Sequence, residues 1–458
     1  MTPVTLVAPP PIPRAAGSLP LLGHAVQLFR DNLAFIASLR EKYGPLVEIT
    51  LQPGTRTIVV QDPALIRTML TDLGPSLDKG RFFEKMGQLL GESVVTVAGQ
   101  EHVRKRRQLQ PAFGRPEIAR YVDVMRGEVN ATIEAWTPGR ALDVRESMIK
   151  LSLDMLVKTV FSGSLDAATF RRLREDLSVV LDGVGVRVML PDWVERLPIA
   201  FNRRFARARD GVRVTIGNAI AALQTSGHDT GDMLSMLLRA EDETTGRPLT
   251  EEQICSEILT LALAGTENTA TVLSWVLYEL DRHPAIETRV LAELDEVLGD
   301  RPVTLDDITR LPCLGRVITE ALRLHHTGWL VTRRTMHETR LGPWTLPAGT
   351  ELAYCQHALH RDPAFYPEPL TFDPDRWLDG NQTPPGAFVP FGAGKHKCIG
   401  DRFAMTELIT ALATLLRRWK LELAPGQTVR PVARATVRPR TLVMIPRPRS
   451  DTARDKAA

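Results

Sequence analysis

The sequence predicts a mainly helical α+β fold with small β-sheets, and three observations carry that reading. LVEITL (46–51) and TIVV (57–60) flank the turn-like QPGTR, two β-branched runs around a Pro-Gly pair, which reads as a hairpin. From about Glu101 to Leu298 the helical period dominates, in segments such as YVDVMRGEVNATIEAW and QICSEILTLALAGTENTATVLSWVLYEL with long apolar faces. Strand-like pieces return at WTL and ELAYC, between Trp344 and Cys355, followed by the proline-rich stretch RDPAFYPEPLTFDPDRW.

With 458 residues, 43% of them hydrophobic, the chain can bury a large core. No repeat and no dividing linker is visible, so a single domain over 1–458 is expected, with a proline-rich lead over about 1–18 and a flexible polar tail over about 447–458. A net charge of +3 is too small to argue for nucleic acid or membrane binding by the whole molecule. Four separated cysteines without a CxxC pair disfavour a disulfide framework and a structural zinc site. The N-terminus is broken by prolines from Pro9 to Pro13 and has no run long enough to span a bilayer. A cytoplasmic protein without a membrane anchor is expected.

The stretch FVPFGAGKHKCIGDRF concentrates the chemistry. Gly392 and Gly394 permit tight turns, Cys398 comes next, and the residues after it have helical apolar periodicity. A sulfur at a helix N-terminus beside Lys395, His396 and Lys397 is favoured as a thiolate, which can serve as nucleophile, redox group or metal ligand. Taken alone, it reads as a small buried side chain, and the spacing around it changes that reading.

The spacing F-x-x-G-x-H-x-C-x-G, spelled by Phe391, Gly394, His396, Cys398 and Gly400, resembles the haem-ligand loop of the cytochrome P450 superfamily. The resemblance runs from LPLLGH to the final strands. It implies haem b between a long oxygen-side helix and this loop, with Cys398 as axial thiolate and His396 on a propionate. Thiolate donation to iron favours O–O cleavage, the reason such a site uses sulfur.

Other positions match the same family. Glu320 and Arg323 in EALR, with Arg376 in FDPDRW, resemble its buried Glu-Arg-Arg network, although any helix offers such a pair, worth about half a kcal/mol at a surface. His102 and Arg106 match its His-x-x-x-Arg pattern for a propionate, while Arg104 and Lys105 read as a solvated basic face. Arg333 takes a further propionate position, with Arg334 its exposed neighbour. Ala264, Gly265, Glu267, Asn268 and Thr269 resemble A-G-x-(D/E)-T-T, in which glycine makes room and an acid-alcohol pair delivers protons. Here asparagine stands at the alcohol position, and it has no proton of useful acidity. Either Asn268 positions a water that relays protons from Glu267, or the substrate provides the hydroxyl, or Thr269 takes the role. Neutral drift is the alternative to all three.

The implied reaction is insertion of one oxygen atom from O2 into a substrate C–H bond, with electrons from a separate ferredoxin or flavodoxin and its reductase. Lys395, Lys397, Arg402 and the 104–107 run would offer such an acidic partner a basic surface. Segments matching the family's pocket are apolar: Phe82, Phe83 and Met86; Val184, Val186 and Met189; Leu259, Leu263 and Ala264; Leu330 and Val331. They favour a compact hydrophobic substrate, and the texture of the chain resembles bacterial terpene hydroxylases. Alternatives are tailoring of a polyketide or peptide natural product, or a thiolate-haem protein that does not activate oxygen. No zinc motif or interleaved aromatic residues support nucleic-acid binding.

Overall fold

Period-two alternation along the first two strands sorts their side chains onto two faces. In the antiparallel pair Leu46–Gln52 and Thr55–Val60, Leu46 lies opposite Val60 and Val47 opposite Val59. Leu46, Ile58 and Val60 join a cluster with Leu352 and Tyr354, whereas Val47, Ile49 and Val59 pack with Ile36, Leu39 and Cys355. Apolar side chains thus lie on both faces, with Glu48 and Thr50 half-buried between them. The sheet continues through Glu351–Tyr354, parallel to Thr55–Val60, then Val331–Thr335 and Leu77–Asp78.

The computed structural model describes residues 11–20, 22–52, 55–161, 165–188, 190, 192–226, 231–242, 246–378, 383–433 and 436–449. Met189, Pro53 and Gly54 of the hairpin turn, most of the proline-rich lead and the expected tail from residue 450 onward lie outside them. The chain divides into two compact units. One comprises Met1–Glu84, Gly328–Thr371 and Gln382–Cys398, and the other Lys85–Thr327, Phe372–Asn381 and Ile399–Ala458. Neither is continuous in sequence, so no one linker could mark them.

In the first unit, the helix Ala25–Tyr43 breaks at Asp31 (φ −161°, ψ 89°), whose Oδ1 accepts from Ala34 N–H at 2.9 Å and restarts the helix. The end of the lead is anchored: Ala15 N–H donates to Glu48 O at 2.9 Å, and Glu48 N–H to Pro13 O at 2.8 Å. The lead is thus structured from Pro13, earlier than its proline content suggests, because strand Leu46–Gln52 offers it an open edge.

The second unit is helical. Its axis is Glu251–Arg282, 32 residues long, opened by a capping box in which Thr250 and Gln253 satisfy each other's backbone N–H. Val144–Phe161 packs along it, and Arg115–Glu134 along Asp401–Leu416. Ala167–Arg187 and Ala200–Ser226 form a helical hairpin. Leu142–Asp143, Val443–Pro448 and Trp419–Leu423 make a three-stranded antiparallel sheet. The expected tail is corrected here: Arg447 pairs with Lys420 and Pro448 with Trp419, so the sheet reaches past the polar composition that suggested fraying. No helix among the described residues is long and apolar enough to cross a membrane.

Candidate active site

In the first unit, the loop before Cys398 is shaped by its glycines. Gly394 has φ +64°, and a Cβ there would lie 2.1 Å from Leu70 O, so only glycine fits both the conformation and the approach. Gly392 N–H donates to Val389 O at 3.0 Å, Lys397 N–H to Gly394 O at 3.1 Å and Cys398 N–H to Phe391 O at 2.8 Å. These bonds fold the loop back on the half-buried Phe391 and present Cys398 outward. Cys398 is exposed, whereas Cys255, Cys313 and Cys355 are buried. Burial pushes the Cys255 thiol up to about 11 and that of Cys355 to about 12, and raises that of Cys313. Only Cys398 is placed to act as a ligand.

Strand alternation separates two neighbouring arginines. Arg334 is not the exposed neighbour that the sequence suggests: it is half-buried and pairs with Asp78, at 2.7 Å, and with Glu84. Arg333 turns the other way. It is 5% exposed, donates to Thr332 O at 2.7 Å, and has no carboxylate partner among the described residues. Burial holds its guanidinium below the usual range. Lys395 is half-buried, and its ammonium is lowered by burial and then by the Arg333 charge. Asp78, paired with Arg334, acts on Arg333 only through its charge, and no carboxylate among the described residues bonds to Arg333, so the two cations make a place for an anionic group supplied from outside the chain. His396 is half-buried in the turn Gly394–His396.

In the second unit, the long helix presents an open stretch. A Cβ at Gly265 would meet only Leu156 Cδ1 at 3.7 Å, an ordinary contact, so the protein's own packing does not require glycine there. Ala264 is exposed and Leu263 half-buried. Asn268 Nδ2 donates to Ala264 O at 2.8 Å, capping the carbonyl one turn back. Glu267 Oε1 accepts from Thr436 Oγ1 at 3.0 Å, with Arg438 Nε at 3.9 Å. Thr269 is 4% exposed and donates to Glu407 Oε2 at 3.0 Å. In this structure the Thr269 hydroxyl proton is thereby engaged with a buried acid. Burial pushes the Glu407 carboxyl up to about 8, with the Thr269 bond pulling the other way.

Glu407 is the residue that sequence reasoning missed. A lone acid within the apolar helix Asp401–Leu416 was the available signal, because such a group needs a partner or a proton. Gly400 caps that helix, and a Cβ there would touch Phe113 Cε1 at 3.5 Å.

Helix Gly99–Leu109 carries His102, buried, and Arg106, half-buried, one turn apart. Lys105 is a correction: it is 1% exposed and paired with buried Glu257 at 3.4 Å, not on a solvated face. Glu257 also accepts from Val94 N–H, so its helix-crossing position demands a cation that composition alone could not place. Arg104 is exposed and pairs with Glu101 and Asp242.

Glu320 and Arg323 are fully buried in helix Pro312–Leu324. Arg323 donates to both Glu320 oxygens, at 2.7 and 2.8 Å, and Arg376 Nε lies 3.5 Å from Oε1. Asp373 N–H and Trp377 Nε1–H complete the carboxylate's shell, at 3.1 and 2.9 Å.

The expected pocket residues separate by environment. Met86, Val184 and Leu259 are buried. Phe82 is exposed and meets Phe83 edge to face at 5.3 Å, and Val186 is exposed, so neither Phe82 nor Val186 lies in a closed apolar wall. Leu330 and Val331 pack against the two clusters flanking the large sheet.

Known proteins resemble the chain along nearly its whole length. The sequence profile described as cytochrome P450 matches residues 10–450. Cyclooctat-9-en-7-ol 5-monooxygenase of Streptomyces melanosporofaciens is 42% identical over 94% of each chain, and cyclooctatin synthase of the same organism 38% identical over 95% of each. Pentalenene oxygenase of Streptomyces avermitilis is 36% identical over 92% of this chain and 94% of its own. Among solved structures, the cytochrome P450DA haem domain superposes with a TM-score of 0.86 at 26% identity, covering 97% of this chain and 99% of that one.

Proposed function

The chain belongs to the cytochrome P450 family and is a haem-dependent monooxygenase, and from that premise we propose that it oxidises a C–H bond of a compact terpene in bacterial secondary metabolism. The observation that carries the substrate class is the likeness, over more than nine-tenths of the chain, to enzymes named for pentalenene and for cyclooctat-9-en-7-ol.

Haem b, held through a cysteine thiolate, supplies O2 activation and C–H oxidation when bound. The residues fit that group. Cys398 is the exposed thiol, set by a loop whose backbone is fixed around Phe391, Gly394 and Gly400. In the first unit Arg333, Lys395 and His396 suit a propionate, and in the second unit His102 and Arg106, one turn apart on their helix, are by the family pattern propionate contacts as well. Gly265 leaves the helix surface open beside Ala264. Glu267, held by Thr436, keeps a carboxylate next to Asn268. The Asn268 amide is tied to Ala264 O and retains its own oxygen as an acceptor for water or a substrate hydroxyl. Leu263, Ala264 and Val184 supply apolar contacts for the substrate.

P450 monooxygenases draw on O2 and separate electron donors. A cytoplasmic location and an acidic ferredoxin or flavodoxin partner complete the reading, supported by the exposed Lys397, Arg402, Arg104 and Arg107. Titrating the ferric protein with pentalenene, and with a cyclic terpene alcohol, tests the substrate class. A saturable low-spin to high-spin Soret shift is expected with at least one. No shift with either, against a clear shift with an oxygenated polyketide, would overturn it.

A further inference from the structure

Glu267, Thr271 and Trp275 stand at every fourth position of the long helix Glu251–Arg282, on one face, and all three meet the C-terminal hairpin of strands Pro431–Ala433 and Val437–Pro439. Glu267 Oε1 accepts from Thr436 Oγ1 at 3.0 Å, the Thr271 hydroxyl lies 3.4 Å from that of Thr436, and Trp275 Nε1 donates to Val437 O at 3.0 Å. The Trp275 bond is an anchor. Its ring stacks on His325 at 3.9 Å, Val437 is fully buried, and Val437 N–H donates to Thr327 O at 2.9 Å. The hairpin is therefore held on the helix by bonds that do not involve Thr436.

Thr436 acts instead on the acid. It is 4% exposed, whereas the Glu267 side chain keeps 26% of its surface in water. A buried hydroxyl bonded to one carboxylate oxygen restricts the rotamers open to a half-exposed acid. Arg438 Nε approaches the same oxygen, at 3.9 Å. Oε2 accepts no bond among the described residues, which leaves it to take a proton from water and hold it. Glu407, the other acid bonded to this helix, is 3% exposed and has no comparable access to water. Reducing one atom of O2 to water consumes protons, and the asparagine at the alcohol position offers none of useful acidity. Delivery then depends on where the Glu267 carboxylate is held.

Resting on the oxygenase reading above, we propose that Thr436 is a positioning residue for proton delivery: it fixes Glu267 Oε1, so that the acid takes up and passes its proton through Oε2. The test compares the haem-loaded protein with Thr436→Val, Thr436→Ser and Trp275→Phe, using pentalenene and a surrogate ferredoxin with its reductase. A wild-type Soret band checks that each variant is folded and loaded. Thr436→Val is expected to raise the solvent deuterium isotope effect on oxygen consumption about twofold, and the share of oxygen released as hydrogen peroxide about threefold. Oxygen consumption is read whether or not pentalenene is oxidised. Thr436→Ser keeps the hydroxyl and should restore both values. Infrared difference spectra against Glu267→Gln, which need no turnover, should show the Glu267 carboxylate band displaced in Thr436→Val and in place in Thr436→Ser. Trp275→Phe, which removes the hairpin's other side-chain bond, should lower the denaturation midpoint and leave the isotope effect and the band as in the wild type. An isotope effect or a carboxylate band that Thr436→Val leaves unchanged overturns the proposal. So does a loss that Thr436→Ser does not restore or that Trp275→Phe reproduces, either of which would assign Thr436 to packing of the hairpin. The oxygenase reading fails separately, if the reduced wild-type protein lacks the carbon monoxide spectrum of a thiolate-bound haem.

Discussion

Asn268 and Thr269 are neighbours in the chain but meet different surroundings. The Asn268 amide caps a carbonyl on the open stretch of the long helix, while the Thr269 hydroxyl is buried against Glu407. Threonine at position 268 would return an alcohol to the place where the family motif has one. Asn268→Thr is expected to change the division of consumed oxygen between hydrogen peroxide and oxygenated product by about twofold or more; an unchanged division would remove Asn268 from proton delivery. Glu407 makes a separate prediction. Its folded-state pKa, about 8, lies above the unfolded value, so its contribution to stability is fully present below about pH 4 and is lost as pH rises through about 8. Glu407→Gln should flatten the pH dependence of the denaturation midpoint across that window, by on the order of a few kcal/mol. Parallel profiles for the two proteins would mean that the carboxyl does not hold its proton on folding.

At the scale of elements, the cross-helix carboxylate Glu320 ties helix Pro312–Leu324 to the Pro374–Trp377 turn. Removing it strands the buried Arg323 charge, so Glu320→Ala should cost about 3–5 kcal/mol. Denaturant unfolding checks this, and a loss below about 1 kcal/mol would reduce the network to a surface-like pair. The triad was legible because three spaced residues matched a pattern. Its indole and backbone donors were not, since FDPDRW gives no sign of which N–H turns inward. Hairpin strands and long helices were likewise legible from period-two and helical alternation. Lys105 was misread because RKRR has the composition of a solvated face, and only the fold brings Glu257 against one of its members. The last strand was cut short for a similar reason: Arg447 and Pro448 look like tail until Lys420 and Trp419 are seen opposite them.

For the whole molecule, net charge was the least informative quantity in the sequence. A value of +3 conceals an arginine-rich apolar segment at 193–207, a buried Lys–Glu pair and two cations gathered with no acid bonded to them among the described residues. Motif spacing reached the thiol, the glycines and the propionate candidates because their backbone demands are local. Partners such as Glu407 for Thr269, or Thr436 for Glu267, come from distant parts of the chain and leave no mark on local spacing. Arg333 ties the fold to the protein's fate in the cell. Its guanidinium is buried and, among the described residues, bonds to no carboxylate, with only the more distant charge of Asp78 acting on it, so an imported anionic group would stabilise it further. Ligand binding to the folded state then raises its stability by mass action. Cells short of iron or porphyrin would therefore hold fewer copies of this enzyme, because newly made chains would meet proteases before they met their cofactor.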